Sequence, residues 1–151
     1  MVLGASPEIE GLLKPRIPGG CILVGKMPFD QIPGFLSNAR IGLDVHPWFD
    51  AHLKVALPVK VCEYMAAGCA VVTSSMPVLK SVLRESGADD QTVAVIDGGE
   101  PGDYAREALR LIEAMDAGAD PGRRSRKLAE RYMSFNSEAQ KLADLYRTLL
   151  N

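Results

Sequence analysis

Two charged residues, Lys60 and Glu63, lie three positions apart inside the apolar, small-residue segment LPVKVCEYMAAGCAVVTSS, residues 57–75. A helix beginning at Pro58 would place both on one face and leave its first amides free for an anion such as a phosphate. A carboxylate one turn further in can accept two hydrogen bonds from a vicinal diol, which a nucleotide ribose offers. The residues alone leave a second interpretation open, in which Glu63 is an ordinary exposed helix carboxylate paired with Lys60.

The elements that would position this segment follow from apolar runs and punctuating residues. Helix starts are predicted at Ser6 and Asp30 as N-caps, and Pro33 is tolerated in a first turn. The long helix over 103–118 has an apolar face of Tyr104, Ala108, Leu111, Ile112 and Met115. The predicted strands are 1–4, 21–25, 41–47, 70–75 and 92–97, and the predicted helices are 6–13, 30–39, 58–67, 77–86, 103–118, 121–135 and 137–151.

The alternation of short apolar strands with helices predicts the fold class. Strands rich in Val and Ile, apolar on both faces, are typical of a parallel sheet covered by helices on both sides. We therefore expect an α/β, Rossmann-like, doubly wound domain over 1–151. Ligands of such sheets bind outside the carboxyl ends of the strands, where the loop 48–57 is expected. The small residues Ala66, Ala67 and Gly68 are expected to let the helix pack closely on the sheet.

Composition excludes several classes of function. The chain has 151 residues, 47% hydrophobic and 24% charged, with a net charge of −2, which argues against a protein that binds nucleic acid through bulk phosphate attraction. The three cysteines form no CxxC pair, so we expect reduced thiols, no metal site and a cytoplasmic location. No apolar run reaches the ~18 residues of a membrane span, and the start is not a signal peptide. MVLG at the start looks like a strand already under way, so we expect a truncated domain of a longer protein.

The order and spacing of these residues resemble a known family. LPVKVCEYMAAGCAVVTSSMPVLKSVL is similar to the signature of GT-B glycosyltransferases, specifically the retaining group 1, or family 4. The resemblance extends to MVLGASPEIEGLL, to ILVGKMPFDQIPGFLSNARIGLDVHP, to VIDGGEPGDYAREALRLIEA and to the closing YMSFNSEAQKLADLYRTLL. It covers nearly the whole chain and implies the C-terminal, donor-binding half of such an enzyme.

The resemblance also implies roles for individual residues. Glu63 would bind the ribose hydroxyls of a nucleotide-diphospho-sugar. The helix start at Leu57, Pro58 and Val59 would hold the diphosphate and the donor sugar, with Lys60 adding positive charge. Lys26 and Met27 would lie against the base. No cofactor, metal or catalytic residue is implied within this chain.

The sequence departs from the family pattern at one position. Many members have a second glutamate eight residues before the first, where this chain has Val55; Asp50 is a candidate to replace it. His46 is expected to have a loop or structural role. We expect this chain to lack the strand and helix that precede this region in the family. The N-terminal acceptor domain, with the family's catalytic histidine, is expected as a missing partner, so this chain alone is expected to be inactive. Peripheral membrane association of the full-length enzyme is a further expectation.

Three functional interpretations follow. In the first, the chain is the donor-binding half of a transferase that moves a sugar from a nucleotide sugar to a glycan or other acceptor with retention, as in polysaccharide biosynthesis. In the second, it is a non-catalytic or degenerate sugar-nucleotide-binding domain that acts with a partner chain. The third, an unrelated doubly wound domain of the flavodoxin or response-regulator type, is disfavoured because no acidic cluster follows the first strand.

Overall fold

The computed structural model describes residues 2–3, 8, 11–12, 19, 22–46 and 55–150. The chain divides into two compact units, Met1–Phe35 and Leu36–Asn151. The predicted single domain over 1–151 stays a prediction beside this division. Each unit contains strands that pair with one another and is described separately below.

The first unit contains a parallel pair of short strands. Strand β1 is Val2–Leu3 and strand β2 is Leu23–Val24, within the predicted runs 1–4 and 21–25. Of the predicted helix over 6–13, Glu8, Gly11 and Leu12 have helical conformation, and the remainder, with Ser6, lies outside the described residues.

The predicted N-cap at Asp30 is wrong. A 3-10 turn begins earlier, at Phe29–Gln31, with Pro28 as its N-cap, and leads directly into helix α1, Ile32–Leu36. Asp30 therefore lies inside the turn, which no side chain caps. Pro33 is in the first turn of α1, as predicted.

The second unit is built on a three-stranded parallel sheet. Its strands are β3, Ile41–Asp44; β4, Ala70–Ser74; and β5, Val93–Ile96, in the order β3-β4-β5. Val72 of β4 pairs with Leu43 on one side and Ala94 on the other. The parallel arrangement confirms the predicted sheet type, and places the carboxyl ends of all three strands at one edge.

The helices of the second unit that follow β3 are α2, Val59–Ala67; α3, Pro77–Ser86; α4, Pro101–Asp116; α5, Pro121–Tyr132; and α6, Phe135–Leu150. Helices cover both faces of the sheet, so β4 is buried throughout. On one face Val71 packs with residues of α2, α3 and α5, including Val61, Met65, Leu79 and Ala129. On the other face Ala70 and Val72 pack against Tyr104 and Leu111 of α4, the face predicted from its periodicity.

The observed helix ends agree with the sequence predictions at α2 and α3 and differ at α4. Gly68 and Gly87 follow α2 and α3 with φ of 84° and 71°, the left-handed geometry that glycine adopts without strain. Pro58 is the N-cap of α2, one residue outside the helix. The start predicted for α4 at 103 is wrong, because Glu100 and Asp103 form a capping box that starts the helix at Pro101.

The strand β3 differs from the predicted strand with two apolar, buried faces. Leu43 is 51% exposed and Val45, just beyond the strand, is 54% exposed. Within the described residues β3 pairs with β4 alone, and Leu43 and Val45 leave part of one face exposed.

Close packing of α2 on the sheet depends on Gly42 of β3. The ring of Tyr64 lies directly over Gly42, where a β-carbon would overlap it. The sequence analysis instead predicted close packing at Ala66, Ala67 and Gly68. That prediction is wrong for Ala66, which is exposed, and the buried residues of α2 are Val61 and Met65. A second close approach places Gly122 of α5 against the carbonyl of Gly68.

We expect Gly42→Ala to destabilise the protein by about 1–3 kcal/mol, since the added methyl group must displace the ring of Tyr64. Urea denaturation followed by circular dichroism measures the change. Gly102→Ala is the matched control, because nothing lies within 4 Å of a β-carbon there. Equal stability of the two variants would contradict the packing described for Tyr64.

Candidate functional site

The carboxyl ends of β3, β4 and β5 meet at one edge of the sheet, at Asp44, Ser74 and Ile96. Helices α2 and α3 begin from the loops that follow β3 and β4. Residues 47–54 of the first loop, with the predicted candidate Asp50, lie outside the described residues. The edge is the position at which doubly wound sheets bind ligands.

The start of α2 presents unsatisfied amides at this edge. The amides of Val61 and Cys62 donate to the carbonyl of Pro58, which leaves the N–H groups of Val59 and Lys60 without an intrahelical acceptor. No side chain caps the helix. By contrast, α4 has its capping box, and Asp120 accepts a hydrogen bond from the amide of Arg123 at the start of α5. The exposed amides and helix dipole suit an anion at α2.

Glu63 lies one turn behind these amides and is half-buried. Within the described part of the chain, the side chains of Lys60 and Glu63 form neither an ion pair with each other nor a hydrogen bond. The alternative in which Glu63 is an exposed carboxylate paired with Lys60 is therefore not what the structure has. Glu63 is free to accept hydrogen bonds from a ligand.

The charge of Glu63 affects its neighbours. Burial raises the pKa of the Cys62 thiol, and the negative charge of Glu63 raises it further. Burial also raises the pKa of the Tyr64 hydroxyl, with additional contributions from Asp44 and then Glu63. Cys62 and Cys69 are free thiols, and Cys21 lies outside the described residues.

The other predicted site residues fall into two groups. Leu57 is half-buried against the core, Pro58 is buried, and Val59 is exposed, so these three lie together at the start of α2. Lys26 is exposed and Met27 is half-buried, and both follow β2 in the first unit. The predicted contact of Lys26 and Met27 with a base stays a prediction.

Val55 offers no polar atom at the position of the second family glutamate. It lies in a turn three residues before Pro58, and its side chain is 80% exposed. An exposed valine cannot accept a hydrogen bond from a sugar hydroxyl.

A groove of about 1030 Å³ opens between β3 and α4 on the face opposite α2. Its walls are apolar, with Leu43, Val45 and Ile112 among them. At the carboxyl edge it is lined by polar residues that the sequence did not predict as site residues: His46, to which a loop or structural role was assigned, Ser74, Ser75, Asp97 and Tyr104.

Three of these residues, His46, Ser74 and Tyr104, form a connected network with Asp44. The backbone N–H of His46 donates to Ser74 Oγ at 2.7 Å, and Ser74 Oγ donates to the carbonyl of His46 at 3.0 Å. Ser74 Oγ is also 2.8 Å from the hydroxyl of Tyr104, and His46 Nε2 is 3.0 Å from Asp44 Oδ2. The two-residue spacing of Asp44 and His46 was the available signal for their contact, on the face of β3 where Gly42 lies beneath Tyr64 of α2.

The described residues contain no group of three or more His, Cys, Asp or Glu side chains placed to hold a metal ion. Among the same residues, no helix is both long and apolar enough to cross a membrane.

Comparisons with known proteins agree with this architecture. A search of solved structures matches sucrose-phosphate synthase from Thermosynechococcus elongatus, with a TM-score of 0.72 and 18% identity. The match covers 98% of this chain and 38% of that one, so this chain spans less than half the length of that protein. At this identity the likeness shows the GT-B type of fold.

No curated protein matches the chain by sequence. The family model of the group 1 glycosyl transferases matches residues 1–114, about three-quarters of the sequence. Because that match spans more than half of the chain and the fold agrees, the chain belongs to the group 1 glycosyltransferases.

Proposed function

We propose that this chain binds the nucleotide-diphospho-sugar donor of a retaining glycosyltransferase, whose acceptor-binding domain lies outside these 151 residues. The observation that carries the proposal is the start of α2. Two free amides and an uncapped helix dipole lie one turn ahead of Glu63, which has no partner of its own among the described residues. An anionic diphosphate followed by a ribose diol satisfies both features.

The chemistry proposed for this site is electrostatic. When the bond between the sugar and the diphosphate breaks, negative charge develops on the departing diphosphate. The amides of Val59 and Lys60, the dipole of α2 and the Lys60 ammonium group would stabilise that charge without requiring a metal ion. The nucleophile and any catalytic base would come from the acceptor side of the cleft, as the family resemblance implies.

A second candidate function is supported by Val55. Because the position of the second family glutamate holds an exposed valine, the chain has one carboxylate fewer to contact the donor sugar. This favours a sugar-nucleotide-binding domain that has no transferase activity and acts with a partner chain. An upstream reading frame that continues this chain by about 200 residues, the size of a further domain, would support the transferase instead.

We place the site in the cytoplasm, where the free thiols of Cys62 and Cys69 would stay reduced. Membrane association of the full-length enzyme, and a role in polysaccharide biosynthesis, stay predictions.

The ribose assignment predicts that the protein discriminates between UDP and 2′-deoxy-UDP, or between the corresponding guanosine nucleotides. Hydrogen bonds to a charged group contribute about 1.5–3 kcal/mol, so we expect roughly 10- to 100-fold weaker binding of the deoxy compound. Glu63→Ala should weaken UDP or GDP binding by a similar factor and abolish the discrimination. Isothermal titration calorimetry measures both effects.

Glu113→Ala is the matched control for this experiment, because Glu113 is an exposed glutamate on α4, on the other face of the sheet. It should bind like the unmodified protein. The site assignment fails if Glu63→Ala retains the preference for the ribose form.

The helix start predicts a separate requirement for the diphosphate. We expect uridine or guanosine to bind at least tenfold more weakly than UDP or GDP, since a nucleoside has no anion to place at the free amides. Inorganic pyrophosphate should compete with the nucleoside diphosphate, and competition should weaken as salt is added. Nucleoside binding as tight as nucleotide binding would contradict the anion site.

A further inference from the structure

The network around His46 uses every hydrogen-bonding capacity of Ser74. A hydroxyl has one donor and two acceptor sites. Ser74 donates to the carbonyl of His46 and accepts from the amide of the same residue, so the second acceptor site takes the O–H of Tyr104. Ser74 therefore holds the backbone of His46 on both sides, and Tyr104 of α4 orients Ser74.

The imidazole of His46 is held from a second direction. Asp44 is 3% exposed, and its Oδ2 lies 3.0 Å from Nε2 of His46. With Asp44 Oδ2 as the acceptor of this hydrogen bond, the ring proton is on Nε2. In the neutral ring this leaves Nδ1 unprotonated, with a lone pair available as an acceptor.

Three buried polar side chains thus fix one residue that reaches solvent. Asp44, Ser74 and Tyr104 are each less than 9% exposed, whereas the side chain of His46 is 27% exposed. Burying polar groups stabilises a fold less than apolar packing would, even when each group is hydrogen-bonded. Within the described residues no buried side-chain polar atom lacks a partner, so the network is complete without help from outside. An arrangement of this kind is suited to holding a ligand-contacting group in one orientation.

His46 also lies where a ligand would reach it. Its partly exposed imidazole contacts Asp44, which is on the face of β3 that carries Gly42 beneath Tyr64 of α2, and His46 follows the carboxyl end of β3, the strand that precedes α2 in the chain. The start of α2 and His46 are therefore at the same edge of the sheet. A nucleotide sugar whose diphosphate occupied the amides of α2 would carry its hydroxyl groups along this edge.

We propose that His46 contacts the sugar of the bound nucleotide sugar and accepts a hydrogen bond at Nδ1 from a sugar hydroxyl. Asp44, Ser74 and Tyr104 are positioning residues that set the tautomer and the place of the ring. The inference rests on the proposed donor-binding function and adds a polar contact to an edge where Val55 supplies none.

The test compares nucleotide sugars with the nucleotides that they contain. Calorimetric titration of the chain with UDP, UDP-glucose, GDP and GDP-mannose gives the gain in affinity due to the sugar. His46→Ala should reduce that gain by about three- to tenfold, the effect of one hydrogen bond, and leave UDP and GDP binding unchanged. His46→Gln, whose amide oxygen can accept a hydrogen bond, should restore part of it.

The positioning residues are tested through the tautomer. An amide at position 44 can donate to Nε2, which moves the ring proton to Nδ1 and removes the acceptor. Asp44→Asn should therefore lose the sugar-dependent gain although the ring remains. Nitrogen-15 shifts of the His46 ring at pH 8, identified by their absence in His46→Gln, report which nitrogen is protonated. UDP-glucose or GDP-mannose should shift Nδ1, and UDP or GDP alone should not.

The outcomes separate this inference from the proposed function. If the nucleotides bind with dependence on Glu63 but His46→Ala leaves the sugar-dependent gain intact, only the role of His46 is overturned. The role is also overturned if Nε2 proves to be the unprotonated nitrogen, or if UDP alone shifts the Nδ1 signal as much as UDP-glucose does. If none of the four probes binds at millimolar concentration, the proposed function fails, and the role of His46 fails with it. Thermal unfolding of His46→Ala verifies that the variant is folded.

Discussion

The pairing of β4 with strands on both sides is the constraint on which the second unit depends. All five residues of β4 are buried, and their backbone groups are satisfied by β3 and β5. Parallel pairing requires each connection to cross from the carboxyl edge back to the amino edge, so α2 and α3 both begin at the carboxyl edge. The free amides of α2, the terminus of β3 at Asp44 and the terminus of β4 at Ser74 are together there for that reason.

The helices of the second unit differ in whether a side chain caps their first turn. Acidic side chains of the chain itself cap α4 and α5, at Glu100 and Asp120. The start of α2 has no such cap, and neither has the start of α3, where Met76 and Pro77 occupy the first positions. Helix amides without a hydrogen-bond partner lower the free energy of unfolding, and an anion bound to them would raise it again. The site and the stability of the unit therefore depend on the same few backbone groups.

Much of the fold could be predicted because local signals decide helix and strand identity. Pro77 and Gly87 delimit α3, and the periodicity from Tyr104 to Met115 identified the buried face of α4. The errors came from local competition between signals. Asp30 has the composition of an N-cap, but the chain turns at Pro28, and the capping box at Glu100 begins α4 two residues before the predicted start. The free N-terminus of α2 was predictable for the same local reason, since Pro58 has neither an amide nor a capping side chain.

By itself the sequence determined the α/β class, the boundaries of α2 to within a residue, and the presence of Glu63 one turn behind a helix start. These depend on interactions within a few positions along the chain. Only the tertiary structure decided that Glu63 has no ion pair with Lys60, that Tyr64 packs on Gly42, and that Asp44, His46, Ser74 and Tyr104 form one network. Ser74 and Tyr104 are thirty residues apart and meet because β4 lies under α4 in the folded sheet, a contact that sequence spacing does not encode.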